Sequence, residues 1–185
     1  GPELAEGQRA IERTAAALRA GNIVAVKGLG GFHLVCDATS SEAIALLRER
    51  KCRPHKSLAI MVPDLETARR VACVSDAEAA VLASSERPIV VLASRGALPP
   101  AIAPDVGSIG VMLPYTPLQH LLLHDFAKAS GCAERSSQRE AEGSRAATAV
   151  PMLVMTSGNI HDEPIVIDDE DAYAKLFSVA DAFIG

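Results

Sequence analysis

Short apolar runs bounded by turn residues recur along the chain and predict β-strands. They are built mainly from Val, Ile, Leu, Ala and Met and lie at residues 23–26, 32–36, 58–62, 89–93, 108–113 and 152–155. Most of these runs lack a polar residue at every second position, which is typical of strands buried on both faces. We therefore expect a sheet that is covered on both sides.

Helical patterns alternate with these runs. A first helix is predicted over residues 8–19, because Ile11, Ala15 and Leu18 share one face and Gly21 follows as a stop signal. Further helices are predicted from capping boxes at Thr39-Ser40-Ser41-Glu42 and Ser75-Asp76-Ala77-Glu78, from Thr116-Pro117 ahead of residues 118–126, and over residues 170–177. The alternation predicts an α/β fold with a mostly buried, twisted sheet.

Residues 127–150 break this pattern, since they include no Leu, Ile, Phe or Met. Few apolar side chains leave the entropy cost of ordering unopposed, so we predict a mobile surface insertion.

The chain of 185 residues has the size of one domain, which we place at residues 3–185. Gly1-Pro2 is typical of a cleaved tag and the chain stops within an apolar run at 182–185, so we expect a fragment of a larger multidomain protein.

Net charge, hydropathy and cysteine spacing each disfavour some classes of function. The chain has 18 Lys and Arg against 23 Asp and Glu, a net charge of −5, which disfavours a polybasic binder of nucleic acid or anionic lipid. No apolar run reaches the roughly 20 residues that a membrane span needs. The four cysteines form no Cys-x-x-Cys pair, which disfavours a zinc knuckle or a disulfide scaffold and favours a reducing cytoplasm.

A glycine-rich turn, Lys27-Gly28-Leu29-Gly30-Gly31-Phe32-His33, joins two predicted strands. Glycine lets backbone N–H groups approach an anionic ligand closely. The turn has no Gly-Lys-Ser/Thr end as in a Walker loop, and His33 stands where a dinucleotide fingerprint has its third glycine. An anion site and a plain tight turn both fit the segment, and His33 fits a core histidine as well as a catalytic base.

A basic segment, Arg48-Glu49-Arg50-Lys51-Cys52-Arg53-Pro54-His55-Lys56-Ser57, covers the end of a predicted helix and the loop that follows. Cations there can simply complement the negative helix C-terminus, with Pro54 ending the helix. They can also form a polyanion clamp, because Arg offers a bidentate fork and Lys a point charge to phosphate oxygens. Both interpretations are open on this segment alone.

Polar residues also follow the last internal strand, in Met155-Thr156-Ser157-Gly158-Asn159. In open α/β sheets, ligands collect outside the carboxyl ends of strands, so this segment can form a neutral seat for phosphate. It is equally good turn chemistry. The acidic residues at 161–163 and 168–171 are interpreted as a solvated loop and a charged helix N-terminus, so no protein metal site is predicted.

Together these segments resemble the YrdC-like domain, and within it the HypF-type carbamoyltransferases of hydrogenase maturation. The resemblance runs from about residue 11 to residue 183, through GNIVAVKGLGGFHLVCDAT, LRERKCRPHKSLAIMV, IAPDVGSIGVMLPYTPLQHLLL, VMTSGN and EPIVIDDEDA. It implies a YrdC-like twisted, open mixed β-sheet flanked by helices, with a concave nucleotide site.

The resemblance also implies site residues. In the YrdC-like family a Lys and an Arg two residues apart act with a Ser and an Asn two residues apart on the nucleotide and its acyl adenylate. Lys51 and Arg53 match the first pair and are expected to be catalytic. The expected phosphate-binding residues are Lys56, Thr156, Ser157, Gly158 and Asn159, and the expected carbamoyl-binding residues are Lys27, Gly28 and His33.

The activity implied by the resemblance is ATP-dependent formation of carbamoyl adenylate from carbamate, with release of pyrophosphate. Carbamate would come from carbamoyl phosphate, and Mg²⁺ would be carried by the nucleotide. The parent chain would add acylphosphatase, zinc-finger and Kae1-like domains, and would pass the carbamoyl group to a cysteine of HypE for the cyanide ligand of NiFe hydrogenase.

Other functions remain open at this point. Threonylcarbamoyl-AMP synthases of tRNA modification share the fold and the four-residue set, although they typically carry an Arg where this chain has Met112 and a Pro-Thr-Asp or Pro-Thr-Glu turn where it has Lys27-Gly28-Leu29. Antibiotic O-carbamoyltransferases also contain the domain. A double-stranded RNA-binding module and a structural module that is inactive without its neighbours are the alternatives from other classes.

Overall fold

The computed structural model describes residues 5–129, 150–160 and 163–185. The strands are β1 (Val24–Gly28), β2 (Gly31–Asp37), β3 (Ala59–Met61), β4 (Ala72–Cys73), β5 (Val90–Ser94), β6 (Ser108–Met112), β7 (Leu153–Ser157) and β8 (Ala182–Ile184). The helices are α1 (Gly7–Arg19), α2 (Ser41–Arg50), α3 (Leu65–Val71), α4 (Asp76–Leu82), α5 (Pro117–Ala129) and α6 (Asp169–Leu176), with a 3₁₀ turn at Pro100–Ile102. Their alternation confirms the predicted α/β class.

The strands form one open, mixed sheet in the order β4-β5-β6-β3-β7-β2-β1-β8. The β1–β8 and β3–β6 pairs are parallel, and the other neighbouring pairs are antiparallel. β7 is antiparallel to both of its neighbours, since Thr156 pairs with Leu34 of β2 and Val154 with Ile60 of β3. The beginnings of β2 and β3 therefore lie beside the end of β7.

Helices cover both faces of the sheet. The larger core layer packs α2, α3, α4 and α6 against strand residues such as Leu34 and Val154. The smaller core layer packs α1 and α5 against residues such as Val26 and Met155 on the opposite face. The run at 89–93 differs from the other predicted strands, because Val91 of β5 is 68% exposed, so burial on both faces does not hold there.

Local capping chemistry sets the helix starts. The predicted capping box at Ser75 is confirmed, since Ser75 Oγ accepts from the Glu78 N–H at 3.3 Å and the Ser75 N–H donates to the Glu78 carboxylate at 2.8 Å. The predicted box starting at Thr39 is wrong. Ser40 is the N-cap of α2, and its Oγ accepts from the Ala43 N–H at 3.1 Å.

The start of α5 is also confirmed, because Thr116 Oγ1 accepts from the Gln119 N–H at 3.2 Å and Pro117 is the first helical residue. The helix continues to Ala129 and so includes the first residues of the segment at 127–150. Residues 130–149 lie outside the described residues, as do His161 and Asp162 of the acidic loop. The mobile insertion and the single domain at 3–185 stay predictions.

Three short elements have no counterpart among the predictions. They are α3, β4 and the 3₁₀ turn. The helix α3 begins with a cap, since Asp64 Oδ1 accepts from the Thr67 N–H at 2.7 Å. A helix of seven residues gives too few turns to show the apolar spacing of a longer helix, and a strand of two residues shows no alternation.

The described cysteines are all free thiols: Cys36, Cys52 and Cys73. Cys36 is buried in the core, where burial raises the pKa of its thiol to about 12. It therefore packs as a small apolar side chain and does not act as a nucleophile.

No helix in the described ranges is both long enough and apolar enough to cross a bilayer.

Replacing Ser40 by alanine is expected to lower the free energy of unfolding by about 1 kcal/mol, because the Ala43 N–H loses its cap acceptor. Ser41→Ala is the matched control, since Ser41 is the first residue of α2 rather than its cap, and its effect should stay within about 0.5 kcal/mol. Urea unfolding of both variants measures the difference. Equal stabilities would show that Ser40 does not cap α2.

Candidate active site

Three loops meet at the edge of the sheet where β7 ends. The β1–β2 turn leads into β2, the loop after α2 leads into β3, and both strands flank β7 in the opposite direction. We call residues 52–57 the basic loop and residues 157–159 the Ser-Gly-Asn loop. The topology thus brings the three segments selected from the sequence to one edge.

The C-terminal end of α2 sets the direction in which the chain enters the basic loop. The Arg53 N–H donates to the Arg48 carbonyl and the Cys52 N–H to the Glu49 carbonyl, both at 3.0 Å, which is the Schellman pattern of hydrogen bonds. Cys52 occupies the left-handed position of this motif with a φ of 50°. The chain therefore reverses sharply at Cys52, so that Lys51 is buried while Cys52 is exposed.

The Lys51 ammonium joins the end of α2 to the Ser-Gly-Asn loop. Lys51 is 2% exposed, and its Nζ donates to the Ser157 carbonyl, to the Asn159 carbonyl at 2.8 Å and to Asn159 Oδ1 at 2.7 Å. These three acceptors match the three protons of an ammonium. Burial, together with the charges of Arg53 and Lys56, lowers the pKa of Lys51 to about 8. Lys51 is therefore mostly charged at neutral pH.

Arg53 reaches the same strand end from the basic loop. Its Nη1 donates to Thr156 Oγ1 at 3.1 Å, and the side chain is partly exposed. A guanidinium has five N–H donors, and within the described residues the Arg53 side chain has no hydrogen-bond partner other than Thr156. Lys56 lies in the same loop and is exposed. These two cations remain available to a ligand.

A ring of main-chain hydrogen bonds fixes the Ser-Gly-Asn loop. Gly158 donates to the Phe32 carbonyl at 2.7 Å, Phe32 donates to the Val166 carbonyl at 2.8 Å, and Val166 donates to the Gly158 carbonyl at 2.9 Å. A Cβ on Gly158 would lie 2.6 Å from the Phe32 carbonyl oxygen, so only glycine fits. Ser157 Oγ also donates to Asn159 Oδ1 at 2.7 Å, which orients the amide.

Of the three expected carbamoyl contacts, Gly28 and His33 lie together and Lys27 lies apart. His33 pairs with Ser157 and with Val26, so its side chain lies on the face of the smaller core layer. A Cβ on Gly28 would lie 2.9 Å from His33 Nδ1, a buried nitrogen without a hydrogen-bond partner in the described structure. Burial lowers the pKa of His33, which favours the neutral imidazole.

Lys27 occupies the opposite face. It pairs with Phe32, which belongs to the larger core layer, and its Nζ lies 5.7 Å from the centre of the Phe32 ring. The ammonium also donates to Asp169 Oδ1 of α6 at 2.6 Å. The structure therefore does not bring Lys27 to the side chain of His33.

Among the described residues, most cations at this edge have no carboxylate counterion. Within the described ranges, Arg48, Lys51, Arg53 and Lys56 form no ion pair, whereas Arg50 of the same segment pairs with Asp181 at 2.8 Å. Like charges this close repel one another, and an anionic ligand relieves the repulsion. The arrangement of guanidinium, ammonium, hydroxyl and amide groups is suited to a polyphosphate.

Two kinds of contributor to the site were not predictable from the sequence, main-chain groups and one side chain. Val166 and Phe32 act through main-chain atoms, which no residue type identifies, and only the glycine at position 158 gives a signal of close backbone contact. The second contributor is the side chain of Arg48, which binds main-chain carbonyls in the basic loop. The sequence pattern identified Arg48 only as one of several cations in the basic segment.

The chain is similar to known proteins over most of its length. The family model Sua5_yciO_yrdC, described as telomere recombination, matches residues 16–185. The carbamoyltransferase HypF of Rhodobacter capsulatus is 47% identical over 175 residues, which are 95% of this chain and 20% of that protein. This chain spans about a fifth of the length of the curated relatives it matches.

Solved structures give the same neighbours. Full-length HypF in its phosphate- and nucleotide-bound form superposes with a TM-score of 0.80 at 40% identity, covering 94% of this chain and 24% of that chain. P. abyssi Sua5 complexed with L-threonine superposes with a TM-score of 0.75 at 18% identity, covering 98% of this chain and 48% of that chain. The second likeness shows a shared fold alone.

Gly158→Ala is expected to lower the free energy of unfolding by about 2 kcal/mol or more, because the added Cβ forces the Phe32 carbonyl away and breaks a hydrogen bond of the main-chain ring. Gly30→Ala is the control, since a Cβ there meets no atom within 4 Å. Chemical denaturation compares the two variants. If both unfold at the same denaturant concentration, the close contact at Gly158 is not real.

Proposed function

The chain belongs to the Sua5/YciO/YrdC family, and from this premise we propose that it makes carbamoyl adenylate from carbamate and ATP, as one domain of a HypF-type carbamoyltransferase. The observation that carries the proposal is the junction of Lys51 and Arg53 with the end of β7. It supports a polyphosphate site, and the 47% identity to a HypF carbamoyltransferase supports a carbamoyl group as the second substrate.

In the proposed step, a carboxylate oxygen of carbamate attacks the α-phosphorus of ATP. The bond from that phosphorus to the bridging oxygen breaks, and pyrophosphate leaves with the electron pair. The α-phosphate is already negative and charge develops on the leaving group, so catalysis consists of positioning and charge neutralisation. The cations at this edge that form no ion pair among the described residues supply the second requirement.

The geometry supports different roles for Lys51 and Arg53, the two residues proposed to be catalytic. All three protons of Lys51 are donated to protein oxygens, so its proposed contribution is positive charge and the position of Asn159. Arg53 and Lys56 supply the donors to phosphate oxygens, and each such charge-assisted hydrogen bond is worth about 1.5 to 3 kcal/mol.

The neutral groups complete the proposed site. The Thr156 hydroxyl and the remaining N–H of the Asn159 amide donate to phosphate, and Gly158 leaves room for it. Ser157, whose one hydroxyl proton is donated to Asn159 Oδ1 in the free protein, would exchange that acceptor for a phosphate oxygen. Gly28 and His33 lie against the same strand end on the other side of Ser157, which supports a role at the carbamoyl group. For Lys27, which the resemblance also placed there, the ion pair with Asp169 favours a structural role.

Mg²⁺ is proposed to arrive with ATP, where it neutralises phosphate charge. In the ranges that the structure describes, no three His, Cys, Asp or Glu side chains are grouped to hold a metal ion. The residues that face the nucleotide are cations and neutral donors. They fit a nucleotide that brings its own metal ion.

The wider setting is proposed from the same resemblance. Carbamate would be released from carbamoyl phosphate elsewhere in the parent protein, next to acylphosphatase, zinc-finger and Kae1-like domains. The carbamoyl group would then pass to the cysteine of HypE in the cytoplasm, towards the cyanide ligand of NiFe hydrogenase. A relative of which this chain covers 20% supports the presence of further domains.

The second candidate is threonylcarbamoyl-AMP synthesis, supported by the fold shared with a Sua5 that binds L-threonine. Met112 speaks against it, because the position that carries an arginine in the synthases is here an apolar side chain, 4% exposed, in the smaller core layer. Threonine would find no cation at that position for its carboxylate. Duplex RNA binding is disfavoured by the net charge of −5.

Arg53→Ala is expected to weaken Mg-ATP binding about 10- to 150-fold with little change in stability, because phosphate loses charge-assisted hydrogen bonds. Lys51→Ala should weaken binding and also lower the free energy of unfolding by about 1 to 3 kcal/mol, because buried carbonyls of the Ser-Gly-Asn loop lose their donor. Calorimetric titration and urea unfolding measure the two effects separately.

The matched control is Arg70→Ala, which removes an exposed cation paired with Glu66 on α3. Its affinity for Mg-ATP should equal that of the unmodified chain. Unchanged ATP binding by Arg53→Ala would reject the nucleotide site. Identification of the product formed with carbamoyl phosphate or with threonine plus bicarbonate separates the two adenylates.

The affinity for Mg-ATP is expected to fall as the pH rises above about 8, the pKa of Lys51 in the free protein. The neutral amine attracts phosphate less than the ammonium does, and bound phosphate raises that pKa, so the fall is at most about tenfold per pH unit. Titrations between pH 7.5 and 9.5 measure it. The dependence should disappear in Lys51→Met, and an equal fall in that variant would assign it to another group.

A further inference from the structure

We propose that Arg48 is a positioning residue for phosphate binding, because its guanidinium fixes the basic loop against the 3₁₀ turn at Pro100–Ile102. The inference rests on the proposed function, in which Arg53 and Lys56 of that loop bind the phosphates. Arg48 itself does not contact the nucleotide. It acts through the position that it gives to Arg53.

The contacts of Arg48 span two separate segments. Its Nη1 donates to the carbonyls of Arg53 at 2.7 Å and Pro54 at 3.0 Å. Its Nε donates to the Ala101 carbonyl at 2.7 Å and its Nη2 to the Ile102 carbonyl at 3.3 Å. One planar side chain therefore holds the first residues of the basic loop at a set distance from the 3₁₀ turn.

The same turn also anchors the far end of the loop. The Leu58 N–H donates to the Ile102 carbonyl at 2.9 Å, so residues 53 and 58 are both tied to residues 101–102. Lys56 lies between these two anchors and Arg53 at the first of them. The direction of both cations thus depends on the Arg48 guanidinium.

The contacts of Arg48 are specific to an arginine side chain. Arg48 is 9% exposed, its acceptors within the described residues are all neutral carbonyls, and burial and the charge of Arg53 lower its pKa. A buried charge without a counterion is costly, but an apolar side chain would leave those four carbonyls without a donor. What an apolar side chain cannot supply is the fork that ties two segments together.

The test compares Arg48→Lys and Arg48→Gln with the control Arg50→Lys. Lysine keeps the charge but loses the planar fork, and glutamine loses the charge. Arg50 lies on the same helix but binds Asp181 and the Val179 carbonyl, away from the basic loop. Circular dichroism confirms folding, and titrations with Mg-ATP and with adenosine give the affinities.

Both Arg48 variants are expected to lose about tenfold or more in affinity for Mg-ATP, the equivalent of about one hydrogen bond, while adenosine binding is unchanged. The control should bind both ligands normally. A purely structural role would lower both affinities together or neither. If Arg48→Lys binds Mg-ATP like the unmodified chain, charge and not position matters, and the proposal fails.

Hydrogen exchange without nucleotide separates this proposal from the proposed function. The Leu58 amide should exchange about tenfold faster or more in Arg48→Lys, while the Ala79 amide of α4 keeps its rate. If the unmodified chain binds no ATP, the proposed function fails and so does the phosphate role of Arg48. If ATP binds but Leu58 exchange is unchanged, the positioning role alone is overturned.

Discussion

The structure of this site depends on the burial of one ammonium group. Lys51 is enclosed at the end of β7, where a charged group is tolerated only if every proton has an acceptor. The acceptors are oxygens of Ser157 and Asn159, which lie far from Lys51 in the chain. The sheet must therefore place β7 antiparallel to β2 and β3, and α2 must end where it does. The burial of Lys51 therefore fixes the Ser-Gly-Asn loop, the end of β7 and the end of α2 relative to one another.

Positive charge is concentrated near this site. The chain is acidic overall, with a net charge of −5, yet four cations of the segment after Leu47 have no carboxylate partner in the described ranges. Arg50 of the same segment differs, since it pairs with Asp181 at 2.8 Å. Repulsion among the unpaired cations is a cost to folding that an anionic ligand removes. An anion that binds these cations would therefore stabilise the fold.

Much of the fold was predictable, because long buried runs and caps are local signals. The strands at residues 23–26 and 152–155 and the cap at Ser75 are examples. At Ser40 the local signal was ambiguous, since two neighbouring hydroxyls could each cap α2 and only the path of the chain selects one. The opposite faces of Lys27 and His33 follow from strand alternation, which the turn sequence alone leaves undefined because the register begins at Gly28 and Gly31. Arg48 shows the limit, because its acceptors are all backbone carbonyls and two of them, at Ala101 and Ile102, lie more than 50 residues away.

The main-chain ring of residues 32, 158 and 166 has a consequence for how this site accommodates mutation. All three members take part only through amide and carbonyl groups, which every residue except proline provides, and only position 158 also requires a glycine. Apolar exchanges that preserve volume at Phe32 or Val166 leave the ring intact, whereas proline at either position removes a donor. The geometry of the Ser-Gly-Asn loop therefore depends little on which side chains stand at positions 32 and 166, and most of the restriction falls on Gly158.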